Sequence, residues 1–230
     1  MWVMNLKQQA ARHALTYVRS GMILGLGTGS TAAPFVDFLA EALERGDLRE
    51  ILGLPTSEGT AEQARALGIP LTTLAEHPRL DLVVDGADEV DPDLNLIKGL
   101  GRALLREKIV AVHADRLLVV VDESKLVPRL GRGPLPVEIL PFGAEVHVRW
   151  LNTLHCRAEL WREDDGSPIV TDNGNYLVRC WFPEGINDVH ALARALANRP
   201  GIVEHGLFLD MASDIVVAGS EGTRVLTRIP

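Results

Sequence analysis

Through the first half of the chain, short apolar runs alternate with stretches of helical periodicity, and turn residues punctuate nearly every hand-over. This alternation admits few folds other than a mostly parallel, doubly wound α/β sheet. A helix is expected over residues 4–18, with Ala11, Ala14, Leu15 and Val18 on its apolar stripe and Gly21 as its stop. Residues 22–26 read as a short buried strand, and the turn Gly25-Leu26-Gly27-Thr28-Gly29-Ser30-Thr31 follows. Pro34 suits the first turn of the next helix, where its missing N–H costs little, so that helix should start near Ser30. Phe35, Phe38, Leu39, Ala42 and Leu43 mark its buried face, and Gly46 ends it.

The pattern repeats. Residues 51–54 read as a strand, Thr56 to Thr60 as a loop with capping residues, and residues 61–67 as a helix closed by Gly68. A strand over 80–84 runs into Asp85-Gly86-Ala87-Asp88, a helix spans 103–114, and a strand spans 117–121. After about residue 130 the character changes: Gly131, Gly133, Pro134, Pro136 and Pro141 break the chain. Strands over 144–148, 156–161 and 176–181, joined by turn-rich segments, read as a smaller α+β domain. Short apolar strands over 207–209, 215–218 and 224–226 can rejoin the first sheet. The expected division is therefore a Rossmann-like catalytic domain of residues 1–130 plus 201–230, with a small inserted α+β domain of residues 131–200. The small domain is a candidate for oligomerisation.

At 230 residues the chain can bury a sizeable core. Its formal net charge of -8 argues against non-specific nucleic-acid binding, which depends on Lys and Arg neutralising phosphates, though not against a small anion held locally. Cys156 and Cys180 belong to no CxxC or His-rich cluster and read as reduced core thiols. The N-terminal segment lacks the apolar core of a signal peptide, and no stretch is long and apolar enough to span a membrane.

Three segments carry candidate chemistry. The turn Gly27 to Thr31 offers backbone N–H groups and hydroxyls at a helix start, which suits a phosphate. It fits neither a GxGxxG fingerprint nor a Walker loop, because Ser30 or Ala32 stands where the third glycine belongs and no Lys-Ser/Thr follows at the right distance. A tight βα turn without a ligand is the alternative. The acidic run Asp85, Asp88, Glu89, Asp91 sits at the carboxyl end of a strand, where open α/β sheets bind ligands. It lacks EF-hand spacing and a histidine, so a metal site is not expected, and a solvated acidic loop is the alternative. In the third segment, Lys98 to Lys108, Leu105, Ile109 and Val112 are expected to form the buried stripe of a helix. Glu107 then lies opposite and, read alone, is a solvated glutamate between Arg106 and Lys108; Lys125 likewise reads as a surface lysine.

Taken together, in order and spacing, these segments resemble the type A ribose-5-phosphate isomerases. Leu135-Pro136-Val137-Glu138, residues 171–175 (TDNGN) and residues 201–208 (GIVEHGLF) extend the likeness along nearly the whole chain. The resemblance implies an aldose–ketose isomerase of the pentose phosphate pathway with Glu107 as general base. Thr28, Gly29, Ser30 and Thr31 would line the substrate site, with Ser30 and Thr31 near the phosphate and Lys125 and Lys7 adding positive charge. Asp85, Gly86, Ala87 and Asp88 would meet the sugar, the two aspartates assisting ring opening. Lys98 and the backbone of Gly99, Leu100 and Gly101 would hold its oxygens. The resemblance implies no cofactor and no metal, and a homodimer or homotetramer; a cytoplasmic protein is expected. Here Leu100 and Arg102 depart from the usual glycine-rich pattern; Leu100 is expected to turn into packing, and Arg102 to add a contact or narrow the site.

Folds of this kind also serve coenzyme A transferases, sugar-phosphate deaminases and ligand sensors. A non-catalytic sugar-phosphate sensor would keep the Gly27 to Thr31 cradle without needing Glu107 together with Asp85 and Asp88. A nicotinamide-dependent dehydrogenase is disfavoured by the glycine spacing.

Overall fold

The computed structural model describes residues 4–228. In chain order its elements are α1 (Leu6–Ala14), β1 (Ile23–Leu26), α2 (Ala33–Glu44), β2 (Leu52–Pro55), α3 (Glu58–Ala66), β3 (Leu82–Gly86), β4 (Glu89–Val90), β5 (Leu96–Ile97), α4 (Leu104–Val112), β6 (Leu117–Asp122), β7 (Leu135–Ile139), α5 (Ala144–Leu151), β8 (Arg157–Leu160), β9 (Tyr176–Trp181), α6 (Val189–Ala197), β10 (Ile202–His205), β11 (Leu207–Phe208), β12 (Asp214–Gly219) and β13 (Gly222–Thr227). They form two compact units. The first takes residues up to Ala87, Arg106–Lys125 and the chain from Met211; the second takes Asp88–Leu105 and Leu126–Asp210. Relative to a division at residues 130 and 200, residues 88–105, 126–130 and 201–210 fall in the second unit.

The first unit is built on a six-stranded sheet in the order β13-β12-β6-β3-β1-β2. All neighbours pair parallel except β13, which returns antiparallel along β12 at the edge. Successive residues of a strand point to opposite faces, so a sheet covered on both sides needs continuous apolar strands. Leu24, Leu26, Leu82, Val84, Leu118, Val120, Val216 and Ala218 pack with Ala10, Ala11 and Ala14 of α1 and with Phe35, Val36 and Leu39 of α2. On the other face, Val83 and Val110 of α4 both close in on Gly25. Each fully buried Leu, Val or Phe among them contributes about 1.5–3 kcal/mol.

Local signals set the helix ends. Asn5 and Gln8 form a reciprocal capping box at the start of α1, and Ser57 caps α3 by accepting the Thr60 N–H. Helix α2 starts at Ala33, with Pro34 in its first turn and no side-chain cap, so Ser30 and Thr31 lie in the preceding turn rather than in the helix. On α2, Val36 and Ala40 are buried and Phe38 and Leu43 are half-buried, a modest rotation of the expected face.

The second unit contains an antiparallel sheet in the order β10-β7-β9-β8 and a small antiparallel sheet in the order β11-β5-β4. Its core joins Leu135, Val137 and Ile139 of β7 to Val178 and Cys180 of β9, Leu151 of α5 and Leu196 of α6. Residues 144–148, expected as a strand, are helical. Their apolar alternation is real, but Ala144, His147 and Leu151 at helical spacing are buried while Val146 is exposed. Strand β11 pairs with β5 in the small sheet, so of the three late strands only those of β12 and β13 rejoin the large one. Cys156 and Cys180 are free, buried thiols.

Candidate active site

In the first unit, the strand order reverses between β3 and β1, and their parallel directions bring their carboxyl ends to one edge. That switch point is where open α/β sheets form a ligand crevice. Strand β1 delivers Gly27 to Thr31 there, and β3 delivers Asp85 and Gly86. Asp85 is 1% exposed, and its Oδ1 accepts the backbone N–H of Thr28 at 3.1 Å and of Gly86 at 2.7 Å. Only glycine fits at position 27, because a Cβ there would stand 2.6 Å from the Asp85 Cα and collide with its carboxylate. Lys7 of α1 donates from Nζ to Ser30 Oγ at 2.7 Å, which puts an ammonium on the turn. Gly29 is exposed, Thr31 is buried, and Ala87 is half-buried. Strand β6 ends at the same edge and leads through the 3₁₀ turn Glu123–Lys125 to the half-buried Lys125. The first turn of α2 adds the positive end of a helix dipole, although its N–H groups are taken within the backbone: Ala33 donates to Gly29 O, Phe35 to Ala32 O, and Pro34 has none.

Glu107 is 2% exposed, so it is not the solvated residue expected from its neighbours. The expected stripe of Leu105, Ile109 and Val112 is rotated: Ile109 is 41% and Val112 62% exposed, while Leu104, Glu107, Val110 and Ala111 are buried. Leu104, Glu107 and Ala111 are spaced by three and four residues and share one face. Apolar residues occur nearly all round this helix, so the sequence admits a second stripe at the same spacing. Arg106 turns the other way and donates to Glu58 Oε1 at 2.7 Å, and the guanidinium holds the Glu58 carboxyl below its ordinary pKa.

In the second unit, Asp88 Oδ2 accepts the Leu100 N–H at 2.9 Å, and the Asp88 N–H donates to Ile97 O. Lys98 is 2% exposed, its N–H donates to Gly206 O at 2.8 Å, and its ammonium lies 5.3 Å from the centre of the Phe208 ring. Gly99 has φ 110, while Gly101 and Leu100 are exposed; Leu100, at 38%, does not turn into packing as expected. Arg102 makes two hydrogen bonds to Glu163, at 2.6 and 3.3 Å, and stands 5.5 Å from the Trp161 ring. The rest of the acidic run has local work. Glu89 is 3% exposed and accepts the N–H groups of Gly131, Arg132 and Gly133, and Asp91 accepts those of Asp93 and Asn95. Among the described residues no group of three or more His, Cys, Asp or Glu is placed to hold a metal ion.

Thr56, Ser57 and Thr60 read in the sequence as loop and capping residues, and Ser57 does cap α3. They form a buried hydroxyl cluster against Thr28. Their hydroxyl-rich spacing at the end of a strand was the available signal.

Residues 52–222 match the family model described as Ribose 5-phosphate isomerase A (phosphoriboisomerase A). Ribose-5-phosphate isomerase A of Roseiflexus castenholzii is 54% identical over 217 residues, covering 94% of this chain and 92% of that protein. A probable chloroplastic ribose-5-phosphate isomerase 3 of Arabidopsis thaliana is 48% identical over 230 residues, covering 97% of this chain and 83% of that protein. Among solved structures, a D-ribose-5-phosphate isomerase in complex with phospho-erythronic acid matches with a TM-score of 0.95 at 40% identity, covering 99% of this chain and 100% of the other. The ribose 5-phosphate isomerase of Plasmodium falciparum matches with a TM-score of 0.93 at 39% identity, covering 96% and 97%. With the family model matching residues 52–222 and these relatives covering almost the full length, the chain belongs to the ribose 5-phosphate isomerase A family.

Proposed function

We propose that this protein interconverts D-ribose 5-phosphate and D-ribulose 5-phosphate, with Glu107 as the base. The observation that carries this reading is the carboxylate of Glu107, 2% exposed on the face of α4 that otherwise holds apolar residues. Packing alone does not call for a carboxylate there, since burying one has a large desolvation cost.

Aldose–ketose isomerisation removes a proton from C2 and delivers one to C1 through an enediolate. One positioned carboxylate performs both transfers. In this reading Ser30 and Thr31, with Lys7 and Lys125, hold the phosphate, and their grip orients the reacting carbons. Asp85 and Asp88 meet sugar hydroxyls and assist ring opening. Lys98 and the backbone of Gly99, Leu100 and Gly101 stabilise the oxygen on which negative charge develops. Ion pairing of Lys7 with an incoming phosphate is supported by its hydrogen bond to Ser30. By its relatives' names the substrate is a pentose phosphate, and the phospho-erythronic acid held by a 40% identical relative is the natural competitor to try.

A homodimer or homotetramer working in the cytoplasm belongs to the same proposal. Among the described residues no helix is long and apolar enough to cross a membrane.

The test is formation of ribulose 5-phosphate from ribose 5-phosphate with a chelator present, with phospho-erythronic acid as inhibitor. Turnover that phospho-erythronic acid suppresses is expected. Tight binding of ribose 5-phosphate with no turnover would overturn the reading.

A further inference from the structure

Behind the glycine-rich turn of the first unit, the Oγ1 of Thr28 lies 2.8 Å from Ser57 Oγ, 2.8 Å from Thr56 Oγ1 and 3.2 Å from Thr60 Oγ1. Thr56, Ser57 and Thr60 are 0%, 8% and 6% exposed, so their hydrogen bonds must be found within the protein. Each hydroxyl has one proton to give and two lone pairs to receive. The geometry gives each proton a place. Thr56 donates to Leu26 O at 3.0 Å. Thr60 donates to Gly27 O at 3.1 Å, and Ser57 donates to Thr60 Oγ1 at 3.0 Å. Ser57 Oγ also accepts the Thr60 N–H at 3.1 Å. Thr28 then donates to Ser57, so the relay runs from Thr28 through Ser57 and Thr60 to the carbonyl of Gly27, the residue next to its starting point.

We infer that this relay fixes the polarity of Thr28: its proton points inward, and its oxygen meets the substrate only as an acceptor. An acceptor binds a sugar hydroxyl and rejects a phosphate oxygen. The turn is thereby divided into a hydroxyl-reading position at Thr28 and phosphate-reading positions at Ser30 and Thr31. Ser57 and Thr60 are positioning residues that act through Thr28. The half-buried Thr28, its backbone held by Asp85, has little freedom to present its hydroxyl otherwise. The inference rests on the proposal that the turn binds a sugar phosphate, but not on Glu107 being the base.

The test compares binding of ribose 5-phosphate and of inorganic phosphate by calorimetry in wild type, Thr28→Val, Thr60→Val and Thr60→Ser. KM and kcat are measured alongside. Thr28→Val is expected to weaken ribose 5-phosphate about tenfold, the scale of one lost hydrogen bond, and to leave phosphate within about twofold. Thr60→Val removes the relay's end and is expected to weaken the sugar phosphate several-fold through KM, with Thr60→Ser restoring it. Equal weakening of both ligands in Thr28→Val would make Thr28 a phosphate donor and overturn the inference. Wild-type binding in either valine variant would also overturn it. If Thr60→Val fails to fold, the Thr28→Val comparison decides. Absence of turnover in wild type would count against the isomerase proposal and leave the binding comparison readable.

Discussion

The Asp85 carboxylate holds the backbone of Thr28: one oxygen, Oδ1, accepts the Thr28 N–H at 3.1 Å while also accepting the Gly86 N–H at 2.7 Å. Two neighbouring strands are thus tied at their carboxyl ends by a side chain that is itself 1% exposed. Asp85→Ala removes an acceptor from two N–H groups and is expected to cost about 2–4 kcal/mol. Asp85→Asn keeps an oxygen at that position and is expected to cost about 1 kcal/mol. Urea denaturation distinguishes them, and equal losses would mean that the charge, not the acceptor, holds the turn.

Gly27 permits that contact. Because the obstruction to a Cβ is the Asp85 main chain as well as its carboxylate, side-chain motion cannot relieve it. Gly27→Ala is expected to destabilise by about 2 kcal/mol or more, in the range of overpacked sites, and to weaken sugar-phosphate binding with it. A thermal midpoint within a degree of wild type would contradict the account.

Arg102 has φ 68, a left-handed conformation that costs a non-glycine residue about 1 kcal/mol or more. Its pairing with Glu163 leaves both side chains nearly half exposed, and such pairs contribute about 0.2–1 kcal/mol. The two effects offset each other, so Arg102→Gly is expected to leave stability within about 1 kcal/mol of wild type. Glu163→Gln loses the pair and keeps the strain, and is expected to destabilise slightly. A marked loss of stability in Arg102→Gly, by denaturant titration, would show that the pairing and the Trp161 contact outweigh the strain.

The thiols of Cys156 and Cys180 are in hydrogen-bond contact, which holds the Cys156 pKa below its ordinary value. The same contact, together with burial, pushes Cys180 well up. A lowered pKa brings the thiolate in at lower pH. Alkylation of the native protein by a small neutral reagent is therefore expected first at Cys156, with its rate rising at lower pH than that of Cys180. Peptide mapping that finds Cys180 modified first would contradict this.

The α/β half was legible because its central parallel strands are buried on both faces and announce themselves as apolar runs, two of them ending in Gly27 and Asp85. The second unit was less so. Val146 and Val148 flank His147 with strand-like alternation, and five residues do not separate that pattern from one helical turn and a half. Pro136 and its glycine- and proline-rich surroundings hid β7, although it pairs in unbroken register with β9 and, across one irregularity, with β10. At the candidate site, the motifs single out Asp85, Lys98 and Glu107, and all three are buried. The burial of Glu107 is not legible because apolar residues occur nearly all round α4, so Leu105, Ile109 and Val112 offer a stripe at the same spacing as the one that packs. No pattern in the sequence foretold that Arg102 would find Glu163, a partner sixty-one residues away.

The central claim is that Glu107 moves the proton. Glu107→Gln preserves the shape of the side chain and removes its basicity. The decisive measurement is kcat of this variant for ribose 5-phosphate alongside calorimetric binding of the same ligand. The account predicts a fall in kcat of about 10³–10⁴-fold, near the upper range for a lost acid–base group, with affinity within a few-fold of wild type. A kcat near that of wild type would contradict it and remove Glu107 from the chemistry.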